Sequence, residues 1–229
     1  AAEFIAQVEF PGPALHLGHA LEGLEVCRGK FGELRFGVLE FDLPRGQLLT
    51  RLSRSGCGTA GGAVSLAASA AITFTAEGDV STVAGASGTV DLQAGAAIAM
   101  ADGAVIQTVG AAVRAIATGD ITLGQIDTRT TSDRDGNALN AQSAWGSVSL
   151  TSSGGSILDN ANASVDVYAN SLRLTASAVG KGLGSSLNAV ELEVATMSAL
   201  AGSGGTYLSE ASSVAVNSVA AVSVNRVGV

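Results

Sequence analysis

Asp133, Asp135 and Asn137 alternate within D-T-R-T-T-S-D-R-D-G-N, residues 127–137, the most polar stretch of the chain. Alternating oxygen donors about a glycine are what a calcium loop uses to wrap its ion. The pattern is half complete: the place of the first ligand is held by Thr131, and the twelfth, where a bidentate Glu belongs, by Gln142. A solvated loop bulging from one corner of the fold explains the stretch without a cation, so no metal is assigned. His16, His19 and Cys27 supply three soft donors, one short of a structural zinc set and lacking its paired cysteines. Ordinary histidines are the expectation. G-K-G-L-G at 180–184 lacks the Lys-Ser/Thr ending of a phosphate loop and reads instead as a tight corner. No cofactor is expected.

Beyond Gly61 the aromatic residues are Phe74, Trp145, Tyr168 and Tyr207, and there is no histidine. Trp145 and Tyr168 are the candidates for stacking on carbohydrate, a role that requires a groove shared with two carboxylates. The acids Asp79, Asp91, Asp102, Asp120, Asp159, Asp166, Glu191, Glu193 and Glu210 are scattered singly. General acid and base catalysis needs a paired constellation, so these acids read as a solvated outer face and the chain as no enzyme.

The elements that carry these residues follow from composition. Apolar residues make up 47% of the chain but aromatics only 4%, so the core must be built of Ala, Val, Leu and Ile, which suit narrow stacked strands. A net charge of -8 with no basic cluster argues against nucleic acid. The most apolar run, 96–117, is broken by Asp102, Gln107 and Arg114, too early for a membrane helix. No membrane insertion is expected. There is neither an initiator Met nor a secretory leader, so the chain reads as an excised or processed segment. Cys27 and Cys57 leave a disulfide and two free thiols equally open.

Character changes near Gly61. All three prolines, both histidines, both cysteines and five of six phenylalanines lie before it. Residues 1–60 are therefore expected to form an N-terminal cap or adjoining module of unassigned fold, in which Leu34–Leu43 alternates well enough for a strand and Leu17, Leu21 and Leu24 could line a short helix that Gly18 and Gly23 weaken. From residue 61 to 229 a phrase Gly-x-(Val/Ile)-x-Leu recurs, starting at Gly62, Gly88, Gly119 and Gly146, which are 26, 31 and 27 residues apart. Such periods mark solenoids and arrays. Alternation within each phrase makes a half-buried strand. Ile72, Ile98 and Ile157 then open a second strand after a small-residue corner. Six or seven stacked coils, near 30 Å long at about 4.8 Å per coil, are expected. A β-sandwich is the rival, because evenly spaced short strands suit it too.

The run N-S-L-R-L-T-A-S-A-V-G-K-G-L-G-S-S-L-N-A-V-E-L-E-V-A-T, residues 170–196, is followed by G-S-G-G-T-Y-L-S-E-A-S-S-V-A-V-N-S-V. Together with G-D-I-T-L-G-Q-I-D-T and G-S-V-S-L-T-S-S-G-G-S-I, it resembles units of giant bacterial exoproteins of the filamentous-haemagglutinin-like and biofilm-adhesin type. The resemblance covers about residues 61–219. It implies an all-β fold, a right-handed parallel β-helix, located outside the cell or on its surface. The role it implies is structural or adhesive: a rigid rod, a matrix component or a self-assembling filament subunit. Carbohydrate binding or cleavage by a β-helix is the alternative, and self-association or matrix components are the expected partners.

Overall fold

The computed structural model describes residues 62–83 and 85–226 in full, and the backbone alone of 40–42, 47–52 and 57–59. The Leu17–Leu24 helix, His16, His19, Cys27 and the Cys57 side chain lie outside the described residues, as does the Leu34–Leu43 strand except where Glu40–Asp42 forms β1.

Strands dominate, and three parallel ladders account for nearly all of them. The first runs β2 (Gln47–Leu52), β5 (Ile72–Phe74), β8 (Ile98–Met100), β11 (Ile121–Leu123), β14 (Ile157–Asp159), β16 (Gly182–Leu183) and β18 (Gly205–Thr206). The second runs β3 (Cys57–Thr59), β6 (Val80–Thr82), β9 (Val105–Gln107), β12 (Gln125–Asp127), the front of β15 (Val167–Ala176), the front of β17 (Val190–Ala201) and β19 (Leu208–Glu210). The third runs β4 (Val64–Ala68), β7 (Val90–Ala94), β10 (Val113–Ala117), β13 (Ser147–Ser152), the backs of β15 and β17, and β20 (Ala215–Val216).

The chain visits the ladders in the same order at each circuit, so the sheets form a nearly closed arrangement about one aliphatic core. Apart from the β1–β2 hairpin and one isolated bridge, the described pairing is parallel, which excludes the antiparallel β-sandwich. Among the described residues helix is confined to α1 (Thr131–Asp135) and one 3-10 turn. Among the described residues no helix is long and apolar enough to cross a membrane.

Register explains why an aliphatic, aromatic-poor sequence suffices. Ile72, Ile98, Ile121, Ile157 and Leu183 stack in line, and so do Val64, Val90, Val113, Val148, Leu172 and Met197. Each side chain is covered by its equivalents above and below, and full burial of a Val or Ile is worth about 1.5–3 kcal/mol. The strands expected to open at Ile72, Ile98 and Ile157 do so.

One phrase is out of line with the others. G-D-I-T-L forms β11 in the first ladder, whereas the remaining phrases form β4, β7 and β13 in the third. The true equivalent rung is V-R-A-I-A of β10, which lacks the flanking Gly and the Leu. Registered positions in the third ladder are thus 26, 23, 35, 24 and 25 residues apart, and the long interval holds the polar loop.

Corners are kept tight by small residues that hydrogen-bond across circuits. Gly95 N–H donates to Ala68 O (2.8 Å), Gly119 N–H to Ala96 O (2.9 Å) and Gly154 N–H to Thr118 O (2.9 Å).

Candidate functional site

Two polar clusters interrupt this aliphatic stack. The first is built on the loop between β12 and β13. Asp127, at the end of β12, is 1% exposed. Arg129 donates to it from its backbone N–H (2.9 Å), Nε (3.1 Å) and Nη2 (2.7 Å), and Arg134 Nε donates to Oδ2 (3.1 Å). Burial pushes the Asp127 carboxyl up, but the hydrogen bonds from Arg129 and Arg134 outweigh it and hold the group below its ordinary value.

The Arg129 guanidinium lies 3.7 Å from the centroid of the Tyr168 ring, and Trp145 meets Tyr168 edge-on with centroids 6.3 Å apart. Trp145 and Tyr168 are 3% and 7% exposed. The structure therefore brings the two carbohydrate-contact candidates together as packing beneath the loop, and neither offers an open ring face for a sugar.

The calcium-loop candidates are placed separately. Asp133 sits in α1, where its Oδ2 accepts from Thr130 Oγ1 (2.6 Å) and Trp145 Nε1 (2.8 Å). These bonds hold its carboxyl below the usual range. Asp135 is exposed at the helix end, and Asn137 takes the left-handed conformation with φ 47°. Among the described residues, neither Asp133 nor Asp135 belongs to a group of three acids that converge on a common point.

The second cluster was not legible as a unit. Asp159 ends β14, Asp166 immediately precedes β15, and Glu191 is the second residue of β17. One carboxylate oxygen from each lies within 4.8 Å of the others. Asp159 is 6% and Asp166 1% exposed, so the expectation of a solvated outer face is corrected here. It is corrected also at Asp91 and Glu193, both fully buried.

Backbone geometry holds the cluster. Asp166 and Glu191 are registered neighbours: Asp166 N–H donates to Glu191 O (2.9 Å), and Glu191 N–H donates to Asp166 Oδ2 (3.0 Å). Asp159 Oδ2 accepts from Ala161 N–H (2.8 Å). Asp159 Oδ1, Asp166 Oδ1 and Glu191 Oε2 are left without a partner and out of contact with water.

Burial pushes the Asp166 carboxyl up to about 8, beyond what the Glu191 N–H can offset, and the Asp159 and Glu191 carboxyls push the same way. Glu191 is also raised, by burial and then by the charge of Asp159. The sequence signal was the 25-residue step from Asp166 to Glu191, one circuit in this part of the chain.

Glu193 in β17 ties the polar loop to the segment that follows β19. Its Oε1 accepts from the N–H groups of Asn140 (2.9 Å) and Ala141 (3.0 Å) and from Ser212 Oγ (2.7 Å). An open groove of about 370 Å³ lined by Asn140, Ala141, Ala195 and Ser212 adjoins it.

Comparison with known proteins gives no matching family model, no matching curated protein and no matching solved structure. The functional reading therefore rests on the sequence and geometry of this chain.

Proposed function

We propose that the chain is a structural segment of an extracellular or cell-surface bacterial protein, a right-handed parallel β-helix that acts as a stiff spacer or matrix component. The observation that carries this reading is the unbroken register of the aliphatic stacks, Ile72 through Leu183 in one ladder and Val64 through Met197 in another. Nearest-neighbour stacking of this kind makes a rod that lengthens by addition of circuits. Seven rungs in each ladder correspond to about 30 Å of rod at about 4.8 Å per rung. The likeness of residues 61–219 to adhesin repeats supports the extracellular location. The buried state of Trp145 and Tyr168 favours support over sugar recognition.

Deletion of this segment from the surface protein of the producing cell is expected to reduce attachment and biofilm mass. Unchanged attachment and biofilm would overturn the role, and a crystal structure with circuits winding the other way would overturn the hand.

A second reading is end-to-end assembly into a filament. Leu200, Tyr207 and Val216 are 56%, 39% and 80% exposed on the last circuits, and β18, β19 and β20 each pair on one side only. Head-to-tail docking there would not close into a ring. Electron microscopy of the purified chain decides it: filaments support assembly, and uniform single particles at high concentration refute it.

A further inference from the structure

The geometry points to a divalent-cation site, suited to calcium, formed by Asp159, Asp166 and Glu191 where the first ladder turns into the second. Three carboxylates converge there within 4.8 Å. A calcium ion holds its oxygens at about 2.3–2.6 Å, so two oxygens of one shell lie at most about 5 Å apart.

Convergence of acids alone would not identify a site. The second observation is the state of the free oxygens. Asp159 and Asp166 each spend Oδ2 on a backbone N–H, while Oδ1 of both, on residues 6% and 1% exposed, accepts from no described N–H or hydroxyl group and has no water access. Glu191 Oε2 is in the same condition. Buried acceptors left without partners are costly, and no ion pair among the described residues reaches any of the three. A cation among these carboxyls would supply the buried oxygens with a partner and offset the negative charge of the cluster.

The site is also preorganised. Asp166 and Glu191 are fixed across two successive circuits by one backbone hydrogen bond and one from Glu191 N–H to the Asp166 carboxylate, and Asp159 arrives from the neighbouring ladder. A cation here would clamp the front of β15, the front of β17 and the end of β14, three segments otherwise joined by strand pairing and core contacts.

The test is calorimetry and thermal unfolding of the full chain, stripped with chelator at pH 7.5 and titrated with calcium chloride or magnesium chloride. One calcium per chain is expected to bind. At calcium about a hundredfold above its dissociation constant, the Tm is expected to rise by about 5–10 °C, with a smaller effect of magnesium. Asp166→Asn and Glu191→Gln keep side-chain shape and remove one ligand charge each. Both are expected to fold without calcium and to weaken its binding at least about tenfold, whereas Asp133→Asn leaves binding intact. The inference is overturned if the wild-type chain shows neither heat of binding nor a Tm shift with calcium. It is equally overturned if Asp133→Asn abolishes the response while Asp166→Asn and Glu191→Gln preserve it, since the ion would then sit in the polar loop.

Discussion

At the scale of single residues, the Asp127 cluster shows how a stack of small apolar side chains can bury charge. Its carboxylate is enclosed by two arginines, one of which also lies on an aromatic ring. Asp127→Asn removes the anion and leaves both guanidinium groups facing a neutral amide. The expected cost at pH 7 is about 3–5 kcal/mol, the range for breaking a buried pair on one side. The pH dependence follows from the lowered folded-state value. Stability from this group is fully present above its unfolded value of about 3.9 and is lost as pH falls through the folded value. Urea melts of wild type and Asp127→Asn at pH 7 and pH 2 should therefore differ strongly at the first and less at the second. An equal difference at both would exclude the charge as the cause. Much of this residue-scale chemistry was hidden in the sequence. Asp159, Asp166 and Glu191 are separated by 7 and 25 positions, and only a correct circuit length brings them together. Trp145 and Tyr168 were visible as rare aromatics, but their burial depends on a loop whose path no local pattern specifies.

At the scale of elements, in-register stacking predicts that a single rung cannot be weakened without affecting its neighbours. Ile121 is 1% exposed and aligned between Ile98 and Ile157. Ile121→Ala is expected to cost about 2–5 kcal/mol, the range for emptying a core position, because two fixed rungs limit collapse around the cavity. A loss below about 1 kcal/mol in chemical denaturation would mean that the rungs are not rigidly coupled. Close approach sets the corresponding limit at corners. A methyl group on Gly146 would overlap the Ala111 carbonyl and come within 3.0 Å of Thr128 Cβ. Gly146→Ala should therefore cost about 1–3 kcal/mol through overpacking, whereas tolerance of the methyl would show that this corner can open. Strand-level legibility was high for the same reason. The alternation in V-S-L, V-D-L and the Ile72, Ile98 and Ile157 starts reports the inward face directly. It failed at G-D-I-T-L, where a phrase of matching composition belongs to another ladder. Its true counterpart β10 carries Ala115 in place of the expected Leu.

At the scale of the whole molecule, the last described segment changes how the stack holds together. Asn217 N–H donates to Met197 O (2.9 Å) in β17, and Asn225 N–H donates to Thr89 Oγ1 (2.8 Å) at the foot of β7. Eight residue steps reach about 26 Å when extended, and four rungs span about 19 Å, so the segment runs back along the stack as a strap. At its far end Arg226 Nε lies 3.2 Å from Asp91 Oδ2, while Arg114 Nε holds Oδ1 at 2.8 Å. Asp91 is fully buried although it points away from the core. A stack held only by neighbours can fray circuit by circuit, but a strap that joins β17 to β7 makes loss of the last circuits coincide with exposure of Asp91 and uncovering of an early one. A chain ending at Asn217 is therefore expected to unfold over a broader denaturant range, with a smaller m-value. Amide exchange in β7 should rise more than in β13, which the strap passes without a described hydrogen bond. Unchanged m-value and unchanged exchange in β7 would show that stacking alone supplies the cooperativity and that the strap contributes only local burial.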